Sequence, residues 1–414
     1  MYYTNQFFLN TDIGEIRIFP HNEKAGIYIE FKLYGERIYK SIGCDIVVDL
    51  KICNTESKGL SDRNEFIDIV KGLAIFLMLW GHCIQYCCPV KGGFYSDLVF
   101  KVIYSFHMPL LMAISGYLFY VSAQKYSKGK LFENKTTALI KSIIGGNIFQ
   151  WIFTTALFAI IQNHRITIFI DGKWLEMMPS LWFLWSVLSA TIVMCLVEKY
   201  AKQWYHHLLF IFGGIIFVMF FPNWQMNLYM YPYFVIGYYY SRYKNTINKA
   251  NWMKYGSIVL FPVMLCFFKK EHYIYTSGIL GGYYSTGEYL VIDIYRWAIG
   301  LVGSIFAITV VELLCKVKRQ EEFLKKAIAP LGKKSLQIYV LSVVFLSSYL
   351  PKAMEFVKET SEIVCIYNAV SQNSIVYDFI FTLVITIIYA VTLYWFAKLL
   401  EKIKVSKLIF GRNS

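Results

Sequence analysis

Apolar and polar positions follow two different periods along this chain. Residues 1–58 contain stretches such as EIRIF, GIYIEFKLYGERIYKSIG and DIVVDL, in which apolar and polar residues alternate. A period of two residues is typical of half-buried strands, so this part is predicted to be a small β-rich extension. A regulatory or assembly role and an inert extension both stay open for it.

From residue 66 onward, apolar runs of about twenty residues are separated by short polar connections. Helices of that length cross a hydrocarbon core of about 30 Å. The sequence therefore predicts an all-α polytopic membrane protein of about ten transmembrane helices, with the β-rich appendage at its start. The spans are expected near residues 66–86, 99–122, 138–161, 179–198, 206–221, 228–242, 254–268, 289–314, 332–350 and 375–399.

Composition supports this class of protein. The chain is 57% hydrophobic and only 16% charged, whereas soluble proteins contain about 25% charged residues. The net charge of +14 is attributed to loop lysines rather than to nucleic-acid binding. These lysines concentrate in the connections after even-numbered spans, so both termini are predicted to be cytoplasmic. The predicted domains are a cytoplasmic extension at 1–58, a membrane domain at 61–400 and a basic cytoplasmic tail at 401–414.

The first predicted helix carries an unusual set of ionisable residues. Lys71 and His82 are eleven residues apart, which places them on one face of a helix with a rise of about 16 Å between them. Asp68 lies three residues before Lys71 and can pair with it as a helical neighbour. Ionisable groups inside membrane spans are costly and indicate function, so this stripe is predicted to line a catalytic channel.

Other candidates have a functional and a structural interpretation. His107 in the second span is a partner for His82 or a structural histidine. Arg296 follows Asp293 by three residues and either stabilises an oxyanion or forms a local ion pair. Ser335 contacts a ligand, together with Tyr339 on the same face, or caps its helix. The tyrosine-rich loop HYIYTSGILGGYYSTGEY binds sugar rings or belongs to the interfacial aromatic belt.

At these residues the chain resembles a known family, the integral-membrane acyltransferases of the acyltransferase-3 group, which modify bacterial surface sugars. The resemblance spans about residues 61–400 and is carried by five motifs in order: RNEFIDIVKGLAIFLMLWGH, FHMPLLMAISGYLF, SLWFLWSVL, YFVIGYYYS and LGKKSLQIYVLS. One departure is Ser342, since members often carry a histidine just after the S-L-x-I-Y segment.

The resemblance implies transfer of an acyl group, usually acetyl, from cytoplasmic acyl-CoA to a hydroxyl of a surface glycan or lipid-linked sugar. His82 is expected to be the general base and Lys71 to bind the CoA, with Arg296 or His107 stabilising the intermediate. The residues expected to bind substrate or CoA are Asp68, Ser115, Trp182, Ser335 and Tyr339. No permanent cofactor is expected, because acyl-CoA is a substrate.

The expected surroundings follow from the same resemblance. The protein is expected in the bacterial inner (plasma) membrane, with the lipid bilayer and a glycan acceptor as partners, possible contacts with glycan-synthesis proteins, and no nucleic acid. No metal is expected, because the nine cysteines are scattered and no second His/Cys cluster completes a ligand set. The alternative function is a transporter or flippase for a lipid-linked glycan, although no inverted halves are visible in the sequence.

Overall fold

The computed structural model of the chain contains two units, Met1–Asn64 and Glu65–Ser414. In the first unit it describes the backbone of four strands. It also describes Asn64, and in the second unit it describes residues 65–87, 94–161, 178–247, 251–279, 285–348 and 376–410.

The strands of the first unit form one antiparallel sheet in the order β1-β2-β3-β4. They are β1 Phe7–Thr11, β2 Gly14–Pro20, β3 Ile27–Leu33 and β4 Glu36–Ile42. The register pairs Phe7 with Ile18, and Ile29 with both Ile18 and Lys40. That this region is a separate cytoplasmic extension stays a prediction.

The second unit is a bundle of helices. They are α1 Glu65–Cys87, α2 Leu98–Ala123, α3 Lys128–Ile161, α4 Trp182–Tyr200, α5 Trp204–Val218, α6 Trp224–Ile247, α7 Asn251–Phe267, α8 Thr286–Cys315, α9 Lys318–Ala327, α10 Ala329–Lys333, α11 Ser335–Ser348, α12 Thr382–Lys402 and α13 Ser406–Phe410. Single helical turns lie at Phe94–Ser96, Met178–Leu181, Lys270–His272, Ile274–Ser277 and Val376–Phe381.

Five helices of the described residues are long and apolar enough to cross a membrane, by length and composition. They are Glu65–Tyr86, Leu98–Ala123, Met178–Tyr200, Thr286–Cys315 and Phe379–Lys402. A helix lies at each of the ten places where a span is predicted. Several of these helices are shorter, including Trp204–Val218 and the apolar part of α11, so the number of ten crossings stays a prediction.

Polar side chains begin two of the long helices. The Asp97 carboxylate accepts a hydrogen bond from the Phe100 backbone N–H at 2.6 Å and starts α2. Ser285 and Glu288 form a reciprocal capping box at the start of α8. Such caps satisfy backbone N–H groups that have no partner within the helix, and they therefore fix where both spans begin.

Glycines bring the backbones of α2 and α6 together. A Cβ atom at Gly116 would lie 2.0 Å from the Phe234 carbonyl oxygen, and one at Gly237 would lie 1.9 Å from that of Ala113. Small residues at such contacts allow membrane helices to approach closely. Gly116 is therefore in direct contact with the backbone of α6. The Ser115 hydroxyl donates to the Leu111 carbonyl of its own helix at 2.8 Å.

The final described helix, α13, lies within residues 401–414, whose assignment as a basic cytoplasmic tail stays a prediction. Ile409 and Phe410 of α13 are buried, and they pack against α3. The Ser142 hydroxyl donates to the Phe410 carbonyl at 2.9 Å, and a Cβ at Gly145 would lie 2.4 Å from the Ile409 carbonyl oxygen. The segment carries lysines, but its apolar residues remove surface from solvent by packing onto α3.

Candidate active site

His82 lies near the end of α1 and is only partly buried. Its Nδ1 atom is 3.2 Å from Gln85 Oε1 and 3.3 Å from the Tyr104 hydroxyl. Because an amide oxygen only accepts hydrogen bonds, this arrangement assigns the proton to Nδ1 and leaves the lone pair on Nε2. The ring also lies between two tyrosines, with centroid distances of 6.2 Å to Tyr104 and 6.4 Å to Tyr86.

His107 also contacts the Tyr104 ring. The ring centroids of Tyr104 and His107 are 4.9 Å apart, and the imidazole of His107 is 3% exposed. Its Nδ1 donates to the Ile103 carbonyl at 2.8 Å, which again leaves the lone pair on Nε2. The structure thus places both imidazoles in one cluster, in which each contacts the Tyr104 ring.

Lys71 lies near the opposite end of α1, where the LGKKS segment packs against the helix backbone. A Cβ at Gly332 would lie 1.8 Å from the Asp68 carbonyl oxygen, and one at Gly72 would lie 2.1 Å from that of Ile328. Lys71 is partly buried and Asp68 is 3% exposed. The structure therefore brings the Asp68–Lys71 pair and the ninth-span motif together.

The residues that follow Gly332 in the ninth-span motif contact α12 and α4. The Lys334 ammonium pairs with Glu401, and the Gln337 amide donates to the same carboxylate at 2.8 Å. Ser335 is partly buried at the start of α11. One turn later the Tyr339 hydroxyl accepts a hydrogen bond from the Phe183 backbone N–H at 3.3 Å.

Trp182 begins α4 and links Tyr339 to the imidazole cluster. Its ring lies 6.0 Å from Phe183, whose ring is 5.6 Å from that of Tyr339. On its other side, Trp182 lies 6.4 Å from Tyr275, which is 6.2 Å from Tyr104. A continuous row of aromatic rings therefore runs from the start of α4 to His82.

Arg296 lies in α8 and uses all five of its N–H donors within the protein. Nη1 forms a 2.6 Å ion pair with Asp293, which confirms the local pair. The other acceptors are the carbonyls of His272, Gly278 and Glu271 and the Ser277 hydroxyl. In this arrangement the guanidinium holds residues 271–278, and contact with an oxyanion would require some of these bonds to break.

Two residues of the cluster are missing from the sequence-based candidates, Gln85 and Tyr104, whereas Tyr275 is included only as part of the tyrosine-rich loop. Gln85 follows His82 by three residues and Tyr104 precedes His107 by three, a spacing that makes helical neighbours. That spacing was the available signal. Tyr275 comes from a distant loop, and its position depends on tertiary contacts alone. No group of three or more His, Cys, Asp or Glu residues suited to a metal ion occurs within the described part of the chain.

The fold and this cluster define a bundle of membrane helices. Near one end of its first helix lies the His82 imidazole, whose Nδ1 faces Gln85 Oε1. The profile of the acyltransferase domain family, acyltransferase-3, matches residues 64–397. The chain belongs to this family.

Two curated relatives are similar over part of their length. One is nodulation protein NolL of Sinorhizobium fredii (strain NBRC 101917 / NGR234), which is 27% identical over 242 residues, covering 54% of this chain and 63% of the relative. The other is nodulation protein NolL of Mesorhizobium japonicum (strain LMG 29417 / CECT 9101 / MAFF 303099), 26% identical over 232 residues, with 54% and 61% covered. The chain spans about three fifths of the length of these relatives. No solved structure matches it.

Proposed function

We propose that this protein transfers an acyl group, acetyl in the first instance, from cytoplasmic acyl-CoA to a hydroxyl of a surface glycan or lipid-linked sugar. The observation that carries the proposal is the state of His82. Gln85 Oε1 holds its Nδ1 at 3.2 Å, so Nε2 is available as a base on the same helix as Lys71. Family membership supplies the reaction class.

His82 acts as the general base in this proposal. Its Nε2 accepts the proton of the sugar hydroxyl while the oxygen attacks the thioester carbonyl carbon. A new C–O bond forms, the tetrahedral intermediate collapses, and the C–S bond breaks. The imidazolium then returns the proton to the CoA thiolate, so the products are an acyl ester and free CoA. An imidazole suits this task because it accepts and releases protons near neutral pH.

Lys71 occupies the donor end of the same stripe. It lies about 16 Å below His82 along α1, and its ammonium is suited to the phosphates of CoA as a compact point charge. The pantetheine arm would extend from Lys71 towards His82, alongside Asp68 and the motif that contains Ser335. Among the proposed oxyanion stabilisers, His107 is nearer to the cluster around His82, whereas the donors of Arg296 are committed to residues 271–278.

The membrane setting completes the proposal. Both termini and the basic connections are assigned to the cytoplasm of a bacterial inner membrane, because lysine and arginine favour that side. The donor therefore enters near Lys71 and the acceptor reaches His82 from the opposite surface. Acyl-CoA is the donor substrate, and the partners are the bilayer and the glycan acceptor.

The test measures transfer of label from radiolabelled acetyl-CoA to the glycan fraction of membranes that contain the protein. We expect His82→Ala to lower the rate about 10²- to 10⁴-fold, the usual contribution of a positioned general base. His206→Ala is the matched control, since His206 lies at the start of α5, where it contacts Gln203 and Tyr205.

Transfer by His82→Ala at the wild-type rate would contradict the assignment. The flippase alternative would be favoured if a lipid-linked glycan crosses the membrane in the absence of acetyl-CoA and if no label enters the glycan when acetyl-CoA is supplied.

A further inference from the structure

The segment at residues 271–278 is held more firmly than its short turns suggest. Besides the Arg296 contacts, the Ser277 hydroxyl donates to the Glu271 carbonyl at 2.8 Å, and the Tyr289 hydroxyl donates to the Ser277 carbonyl at 3.3 Å. Gly278 has φ +68°, and a Cβ there would lie 2.8 Å from Gln225 Oε1, so glycine suits this position. These bonds fix the single helical turn Ile274–Ser277 in place.

Tyr275 is the residue that this turn presents to the imidazole cluster. Its side chain is 48% exposed, although its ring lies 6.2 Å from Tyr104 and 6.4 Å from Trp182. Desolvation by the surrounding protein raises the pKa of its hydroxyl. Tyr275 is therefore half-exposed while its ring contacts two aromatic neighbours.

Tyr275 differs from a tyrosine of the interfacial aromatic belt in what its ring contacts. A belt tyrosine needs only lipid headgroups and water around its polar end, whereas Tyr275 contacts two rings that lead inward. One of them, Tyr104, contacts His82 directly at 3.3 Å. The half-exposed Tyr275 is therefore separated from the proposed base by one aromatic ring, that of Tyr104.

We propose that Trp182 and Tyr275 form an acceptor wall, against which a pyranose ring stacks its apolar C–H face while one hydroxyl reaches His82. This inference rests on the proposed function and names the class of acceptor: a cyclic sugar rather than an open-chain polyol. Aromatic walls with a few placed polar groups are the usual lining of small-ligand sites, and the flat face of a tyrosine or tryptophan matches a ring in area. Arg296 is a positioning residue, because it sets Tyr275 through residues 271–278.

The experiment uses membranes that contain the full-length protein and radiolabelled acetyl-CoA. Label entering the glycan fraction is measured with increasing concentrations of a methyl hexopyranoside or of the corresponding hexitol. The pyranoside is expected to inhibit at a concentration at least tenfold lower than the hexitol. Tyr275→Ala is expected to raise the inhibitory concentration of the pyranoside about tenfold, whereas Tyr275→Phe keeps the ring and the inhibition.

Arg296→Lys is expected to act in the same direction as Tyr275→Ala, because one ammonium cannot replace five donors in a planar fork. The KM for acetyl-CoA should stay at its wild-type value in both variants, which separates a displaced wall from general damage. Tyr255→Ala on α7 is the control, since Tyr255 is similarly exposed at 54% and lies in none of these contacts. A size-exclusion profile in detergent shows whether each variant is folded.

Two results overturn the acceptor wall alone. The first is that pyranoside and hexitol inhibit label transfer equally, or that neither inhibits it. The second is that folded Tyr275→Ala has the same inhibitory concentration of pyranoside as the wild-type protein. Absence of any label transfer by the wild-type protein would instead overturn the proposed function, and the wall with it.

Discussion

The two ends of α1 are packed by different parts of the protein. Near Lys71, the glycines face main chain: a Cβ at Gly72 would meet the Ile328 carbonyl oxygen at 2.1 Å. Near His82, the equivalent glycine faces a side chain, since a Cβ at Gly81 would lie 2.5 Å from Tyr104 Cε2. One end is fixed by backbone contacts, and the other is built from aromatic and amide side chains.

This difference suggests a division of labour between the ends. A backbone contact depends little on the side chains around it, which suits recognition of a constant donor such as CoA. A cluster of side chains changes its shape with each substitution, which suits recognition of a variable acceptor. Changes at the Lys71 end should therefore affect donor use or the whole fold, whereas changes at the His82 end should affect turnover or the acceptor.

After the loss of the His82 base itself, the largest effect is expected from the charge at the donor end. Lys71→Ala should raise the KM for acetyl-CoA about 10- to 150-fold, because hydrogen bonds to charged groups contribute about 1.5–3 kcal/mol. Lys71→Arg keeps the charge and should retain most of the affinity. Lys128→Ala removes an equal charge at the exposed start of α3 and serves as the control. An unchanged donor KM in Lys71→Ala, measured by initial rates, would refute a role in CoA binding.

The next largest effect is expected on the free energy of unfolding, at the backbone contact between Gly332 and Asp68. Gly332→Ala places a methyl group 1.8 Å from the Asp68 carbonyl oxygen and should lower the free energy of unfolding by about 1–3 kcal/mol, as overpacking does. Gly256→Ala on α7 is the control, since nothing lies within 4 Å of its Cβ position. Thermal unfolding in detergent measures both.

Gly81→Ala sharpens the same comparison at the other end. It should cost less stability than Gly332→Ala, because the Tyr104 ring can rotate away, but it should lower turnover. Equal losses of stability in the two variants would remove the distinction between the ends.

The smallest effect is expected at Gln85, which holds the tautomer of His82. Gln85→Ala should lower kcat about 2- to 12-fold, since a neutral hydrogen bond contributes about 0.5–1.5 kcal/mol. The KM for acetyl-CoA should not change, because Gln85 contacts the base and not the donor. A variant that loses donor affinity while keeping kcat would show that Gln85 acts elsewhere.

Local periodicity was sufficient to predict one helix carrying Asp68, Lys71 and His82, and the pairing of Arg296 with Asp293, because both depend on neighbours three or eleven residues apart. Three of the other four acceptors of Arg296 are backbone carbonyls, which carry no signature in the sequence. The contact of Gly332 with Asp68 also joins distant segments, so it required the folded structure.

The aromatic row could not be read from the sequence for a different reason. Tyr104, Tyr275 and Trp182 lie in a chain that contains 33 tyrosines and 10 tryptophans, most of them explained by a membrane interface. The resemblance singled out Trp182 and the tyrosine-rich loop contains Tyr275, but only the distances between rings join these two residues to Tyr104 in one row. The sequence therefore predicted the class of fold and reaction better than the surroundings of His82.

The docking of α13 onto α3 has a consequence for biosynthesis. Ser142 and Phe410, which share a 2.9 Å hydrogen bond, are 268 residues apart. A growing chain emerges from the ribosome in order, so the groove of α3 at Gly145 stays unfilled while the intervening helices are made. Assembly of this helix bundle is therefore completed only when the segment Ser406–Phe410 has been synthesised and has returned to a helix made much earlier.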